Sequence, residues 1–117
     1  MGQRERRCAM IHWPRVTQLR EEVGAEDFEE VVDLFLEEVE EVITRLRQAP
    51  DRSLLEKDLH FLKGSALSLG FQSFSALCQD GERQSAAGHA DTVDLDAIIN
   101  SFEASKSVFQ SELPGHI

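Results

Sequence analysis

The chain has 117 residues, 41% hydrophobic and 29% charged, with a formal net charge of -10 at pH 7. That length suits one domain around a single core, and that balance argues against a disordered chain or a membrane protein. The excess of acid argues against nucleic acid as a partner, because phosphate contacts need clustered Lys and Arg.

In chain order, the start "MGQRERRCAMIHW" holds no apolar stretch long enough for a secretory signal, so a cytoplasmic location is expected. Residues 1–10 are expected to form a flexible segment, 11–113 the domain and 114–117 a tail. Cys8 and Cys78 are far apart and form no C-x-x-C pair, which leaves Cys78 as a small buried apolar residue. Pro14 suits the first turn of a short helix running to about Val23 and stopped by Gly24. Asp27, with Glu30 three residues on, predicts a capping box for a long second helix. Phe28, Val31, Val32, Phe35, Val39, Val42 and Leu46 draw its apolar stripe. Every charged residue from Glu21 to Glu41 is acidic, and a solvated helix face is the plainest reason.

"SLLE" predicts a third helix with Ser53 as N-cap and Glu56 reaching back. Its stripe is Leu55, Leu59, Leu62, Ala66 and Leu69, with Gly70 as its end. Phe74, Leu77 and Cys78 write a fourth helix, weakened by Gly81 and finished before Gly88. A fifth, capped near Asp91 or Thr92, carries Leu95, Ile98, Ile99, Phe102, Phe109 and Leu113 until Pro114. No segment alternates like a strand, so the fold class is all-α: an antiparallel four-helix bundle with a short additional N-terminal helix across one end.

One residue in the third helix is out of place. Gly64 in a helix interior costs about 1 kcal/mol relative to alanine. On a wheel of about 100° per residue, His60 lies about 140° from the centre of the apolar stripe. Lys63 and Gly64 flank it at about -60° and +40°. The imidazole thus has a cation on one side and space on the other, which suits a histidine that reacts with a phosphoryl group. A close contact between helices is the other reason for such a glycine.

"HFLKGSALSLG", His60 to Gly70, resembles the signature of histidine phosphotransfer (HPt) domains, H-x-x-K-G-[SA]-[SAC]-x-x-[LIMV]-G, at all seven specified positions. "LFLEEVEEVITRLRQA" before it, Leu77 and Cys78 after it and the five-helix layout also resemble the family, across roughly residues 11–113. The resemblance implies a stoichiometric phosphocarrier of two-component phosphorelays, without a kinase or ATP-binding domain of its own. His60 would be the phosphoacceptor, Lys63 the partner of the phosphoryl oxygens and Gly64 the clearance. Ser65 would support helix packing, Gly70 the tight exit and Glu82 the orientation of the imidazole. The implied partners are response-regulator receiver domains and a hybrid sensor histidine kinase. No cofactor of its own is implied, Mg²⁺ being carried by the receiver domain. Gly81 stands where many members have an apolar residue.

Phe61, Leu67, Leu34 and Leu36 lie off the main stripes and are candidates for partner docking. A single complete bundle is expected to be a monomer. Three other readings compete. A sensor-kinase phosphoacceptor helix usually has an acid after its histidine, where Phe61 stands here, although a domain excised from a chemotaxis-type or hybrid kinase fits. An inert adaptor would use the acidic surface alone. A metal-binding bundle finds no Glu-x-x-His repeat, and His12, His60, His89 and His116 are scattered, so no metal site is expected.

Overall fold

The structure, a computed structural model, describes residues 10–116; Cys8, and with it all of the expected flexible segment but Met10, lies outside the described residues. Five α-helices follow one another: α1 (Trp13–Val23), α2 (Phe28–Gln48), α3 (Leu55–Leu69), α4 (Gln72–Ala86) and α5 (Leu95–Glu112). Among the described residues there is no strand, only an isolated bridge between Ile11 and Phe71. Helices α2 to α5 close a ring in which each packs on the next and α5 returns to α2, while α1 lies against α2 and α3. The chain is an all-α bundle of four helices with an additional N-terminal one.

The α3 stripe forms the centre of the core. Leu55, Leu59, Leu62, Ala66 and Leu69 are all buried, facing a core that includes Phe74 and Cys78 of α4 and Ile98, Phe102 and Phe109 of α5. Each fully buried leucine stabilises the fold by about 1.5–3 kcal/mol, so this stripe also fixes which side of α3 faces water. The stripe of α2 is rotated from the expected one. Leu36 and Ile43 are buried with Phe28, Val32, Val39 and Leu46, whereas Val31, Phe35 and Val42 are only half-buried. Helix α2 has apolar residues around much of its girth and packs on α1, α3 and α5 at once, so its buried arc is wide. Leu36, expected to be a docking residue, is therefore a core residue at 6% exposure.

Three caps also differ from the sequence expectation. Asp27 precedes α2 with helical angles, φ -98° and ψ -6°, and its side chain makes no cap bond. Without the extended N-cap conformation, the expected box with Glu30 does not form. Asp51, not Ser53, serves the start of the third helical segment: its carboxylate accepts from the Ser53 amide and hydroxyl, which draws Ser53 into a 3-10 turn before α3. Asp94, not Asp91 or Thr92, caps α5, accepting from the Ala97 amide. Arg52 holds Ala90–Thr92 in a separate 3-10 turn by donating to the carbonyls of Ala90 and Val93.

Two contacts order the helices around the third. The Arg45 guanidinium of α2 grips Asp58 of α3 in a two-pronged ion pair, 2.7 and 3.0 Å. Asp58 is mostly buried, and its hydrogen bond and charge hold the Arg45 guanidinium even more firmly protonated than usual. The turn between α3 and α4 depends on Gly70, which adopts a left-handed φ of 80°. Its carbonyl accepts from the His12 amide at 2.7 Å, and a Cβ there would sit 2.9 Å from the His12 carbonyl oxygen and 3.0 Å from Val16 Cγ2. Gly70→Ala is therefore expected to destabilise the domain by about 2 kcal/mol, read as a lower urea midpoint at unchanged slope.

Candidate functional site

With the apolar stripe of α3 turned inward, His60 stands on its outer side with 68% of its side chain exposed. Helix α4 brings Glu82 alongside. Its Oε2 lies 2.8 Å from His60 Nδ1, and its Oε1 lies 2.7 Å from Lys63 Nζ. One carboxylate thus spans two residues of α3 that are three apart, so both meet it on one face. Gly64, one turn beyond the histidine, borders open space: nothing lies within 4 Å of where its Cβ would be. A close helix contact is therefore not the reason for that glycine.

The protonation pattern follows from the carboxylate. The Lys63 ammonium, and after it the hydrogen bond from His60, hold the Glu82 carboxyl below its ordinary 4.5 despite partial burial. At neutral pH it is an ionised, acceptor-only group. Nδ1 of His60 must then carry the hydrogen and donate it. In a neutral imidazole this leaves the lone pair on Nε2, away from Glu82 and toward water.

Residues 30–108, more than half of the chain, match the family model of the Hpt domain. The chain belongs to the Hpt domain family. No curated protein and no solved structure matches it significantly. Membership implies phosphotransfer in two-component signalling, by a carrier that exchanges phosphoryl groups with receiver domains and kinases. Among the described residues no helix is long and apolar enough to cross a membrane.

The other singled-out residues of the Hpt domain fall into two groups. Phe61, Leu67 and Leu34 are exposed, at 39%, 56% and 53%. Phe61 borders a groove of about 400 Å³ with Glu38, Glu41 and Val42 of α2 and Lys57 and Asp58 of α3. Ser65 is buried on α3, and Gly70 sits at the turn, away from the imidazole's polar contacts. Sequence reasoning missed Leu54: it is half-exposed and lines, with Ser53, Glu56, Lys57 and Glu82, the shallow depression onto which His60 opens. The signal was present in "SLLE", where only Leu55 of the two leucines fits the stripe. It also missed that Lys63 is held by Glu82. Cys78, one turn before Glu82, is fully buried, and burial pushes its thiol up to about 12, so it takes no part as a nucleophile.

A pH signature follows from the depressed Glu82 carboxyl. Its stabilising contribution is complete above about pH 4.5, its ordinary value, and is lost as pH falls through the lower folded value. Glu82→Gln is expected to flatten the acid side of the stability profile in that window, measured by urea unfolding at successive pH values. An unchanged acid slope would show that the carboxylate is not held by its two neighbours.

Proposed function

We propose that His60 accepts a phosphoryl group on Nε2 from the aspartyl phosphate of a response-regulator receiver domain and passes it to another receiver in a phosphorelay. The observation that carries this reading is the orientation of the imidazole: Nδ1 is engaged by Glu82 at 2.8 Å on an otherwise exposed ring. As the new Nε2–P bond forms, the P–O bond to the receiver's aspartate breaks and that carboxylate leaves. The ring becomes a phosphoimidazolium whose positive charge rests partly at Nδ1–H, against the Glu82 carboxylate. Return transfer reverses the same bonds.

Each neighbour has a part. Lys63 carries three N–H donors, so it can keep its ion pair with Glu82 and still donate to a phosphoryl oxygen. The incoming group brings roughly -1.5 to -2 charges, by analogy with other phosphorylated side chains, which makes that ammonium a stabilising partner. Gly64 leaves the approach open, and its cost of about 1 kcal/mol in helix propensity is the expense of that opening. The Mg²⁺ that the receiver carries supplies the remaining charge neutralisation. The domain contributes no cofactor of its own in this reading, and acts as a monomer in the cytoplasm. Phe61 and Leu67 on α3, joined by Leu54 and by Leu34 on α2, offer the apolar side chains of a docking surface with a polar rim. A hybrid sensor histidine kinase is the upstream source of phosphate.

Incubation with a phosphorylated receiver domain tests the assignment. His60→Gln is expected to abolish uptake of label while circular dichroism stays unchanged; label retained in that variant would falsify the role of His60. An inert adaptor, by contrast, would leave the label on the receiver even in the unaltered protein. Gly64 gives a second, independent test. Gly64→Ala is expected to stabilise the fold by up to about 1 kcal/mol, since its methyl meets open space. Gly64→Gln is expected to keep the helix and slow transfer at least tenfold, about 1.4 kcal/mol of barrier, and transfer at the normal rate would refute the clearance argument.

A further inference from the structure

The hydrogen bond between His60 and Glu82 joins two helices, so its length depends on what lies between them. Directly beneath it in sequence are Leu59 of α3 and Gly81 of α4. Both are buried, and the missing side chain of Gly81 is where they meet: a Cβ at that position would lie 2.7 Å from Leu59 Cδ1. It would also lie 3.3 Å from Val93 Cγ1 and 3.4 Å from Ile98 Cδ1. Leu59 is itself fully buried, so its Cδ1 must displace packed neighbours before it can give way. Carbon atoms in good contact stand about 3.5–4.0 Å apart, so relief at Leu59 requires roughly 1 Å of movement.

We propose that Gly81 is a positioning residue: the Leu59–Gly81 contact sets the spacing of α3 and α4 that brings the Glu82 carboxylate within hydrogen-bond reach of His60 Nδ1. The outer pair, His60 and Glu82, follows the inner pair, Leu59 and Gly81, by one residue on each helix, so a change in the inner spacing is carried to the outer one. The observed 2.8 Å leaves little slack. Separation by only half of the required 1 Å takes the bond to about 3.3 Å, outside the usual 2.7–3.2 Å range. A ring released from Glu82 exchanges its hydrogen between the two nitrogens, and the form protonated at Nε2 has no lone pair there. The consequence for transfer rests on the reading of His60 as acceptor; the consequence for the ring itself does not.

The experiment uses the full chain and two readouts. Long-range ¹H–¹⁵N NMR of the unphosphorylated protein gives the tautomer populations of His60, and transfer from a phosphorylated receiver gives the rate. In Gly81→Ala the Nδ1–H form is expected to lose its predominance and transfer to slow roughly tenfold, short of the hundredfold that a 1 Å misplacement can cost. Adding Leu59→Val removes the Cδ atoms that collide with the new methyl and restores the core volume, so the double variant is expected to recover both readouts. Should the β-branched valine disturb α3, Leu59→Ala in the same background removes the same Cδ atoms at the cost of a cavity, with circular dichroism to show that the helices persist. Tautomer populations in Gly81→Ala equal to those of the unaltered protein would overturn the proposal, as would a defect that neither Leu59 replacement relieves. His60→Gln, run beside them, separates the two ideas: label retained there sinks the acceptor reading and leaves the tautomer result standing.

Discussion

The site exists because α3 and α4 are held at close range. The imidazole and the ammonium belong to one helix, the carboxylate that both face belongs to the other, and no connection within either helix can bring them together. Two small residues make the approach possible. Gly70 lets the chain reverse within a turn while the N-terminal segment closes over it, and Gly81 removes the bulk that would separate the helices farther along. The functional chemistry is thus a surface expression of core packing. Odd positions 59 and 81 look inward, even positions 60 and 82 look outward, and the second pair inherits its geometry from the first.

The electrostatics of the trio are economical. A single carboxylate, which a facing lysine keeps ionised to lower pH than usual, dictates which imidazole nitrogen holds the hydrogen. No buried base is required, since a neutral imidazole with a lone pair on its outer nitrogen is itself a nucleophile. The carboxylate and the ammonium are largely covered, at 20% and 25% side-chain exposure, so the pair both contributes to stability and orients the ring. The remaining excess of acid is carried chiefly by α2, where seven Asp and Glu stand against Arg45 and Arg47.

Much of this was legible before any coordinates, and the rest was hidden for identifiable reasons. The stripe of α3 is narrow and unambiguous, so both its buried face and the outward direction of His60 could be read from spacing. Helix α2 is apolar over too wide an arc for a single stripe to be chosen, which is why Leu36 reads as a docking residue and Ile43 falls outside the expected stripe. Caps were misassigned wherever two or three capping residues stood close together, as at Asp51 and Ser53 or at Asp91, Thr92 and Asp94; tertiary contacts such as those of Arg52 decide between them. The helix glycines teach the sharpest lesson. Gly64 and Gly81 look equivalent in a one-dimensional reading, yet one faces emptiness and the other a leucine methyl at 2.7 Å from its absent Cβ. Only the helix partner distinguishes them.

At the start of α1, Trp13 stacks against two rings. It stacks on His116 with centroids 3.8 Å apart and on Phe109 at 5.9 Å, both nearly parallel to it. The sequence has one tryptophan and no tyrosine, so the protein's indole emission arises wholly from this stack. Fluorescence therefore watches the junction of the first helix with the turn that ends in His116. The molecule carries its own optical gauge of how that junction is docked.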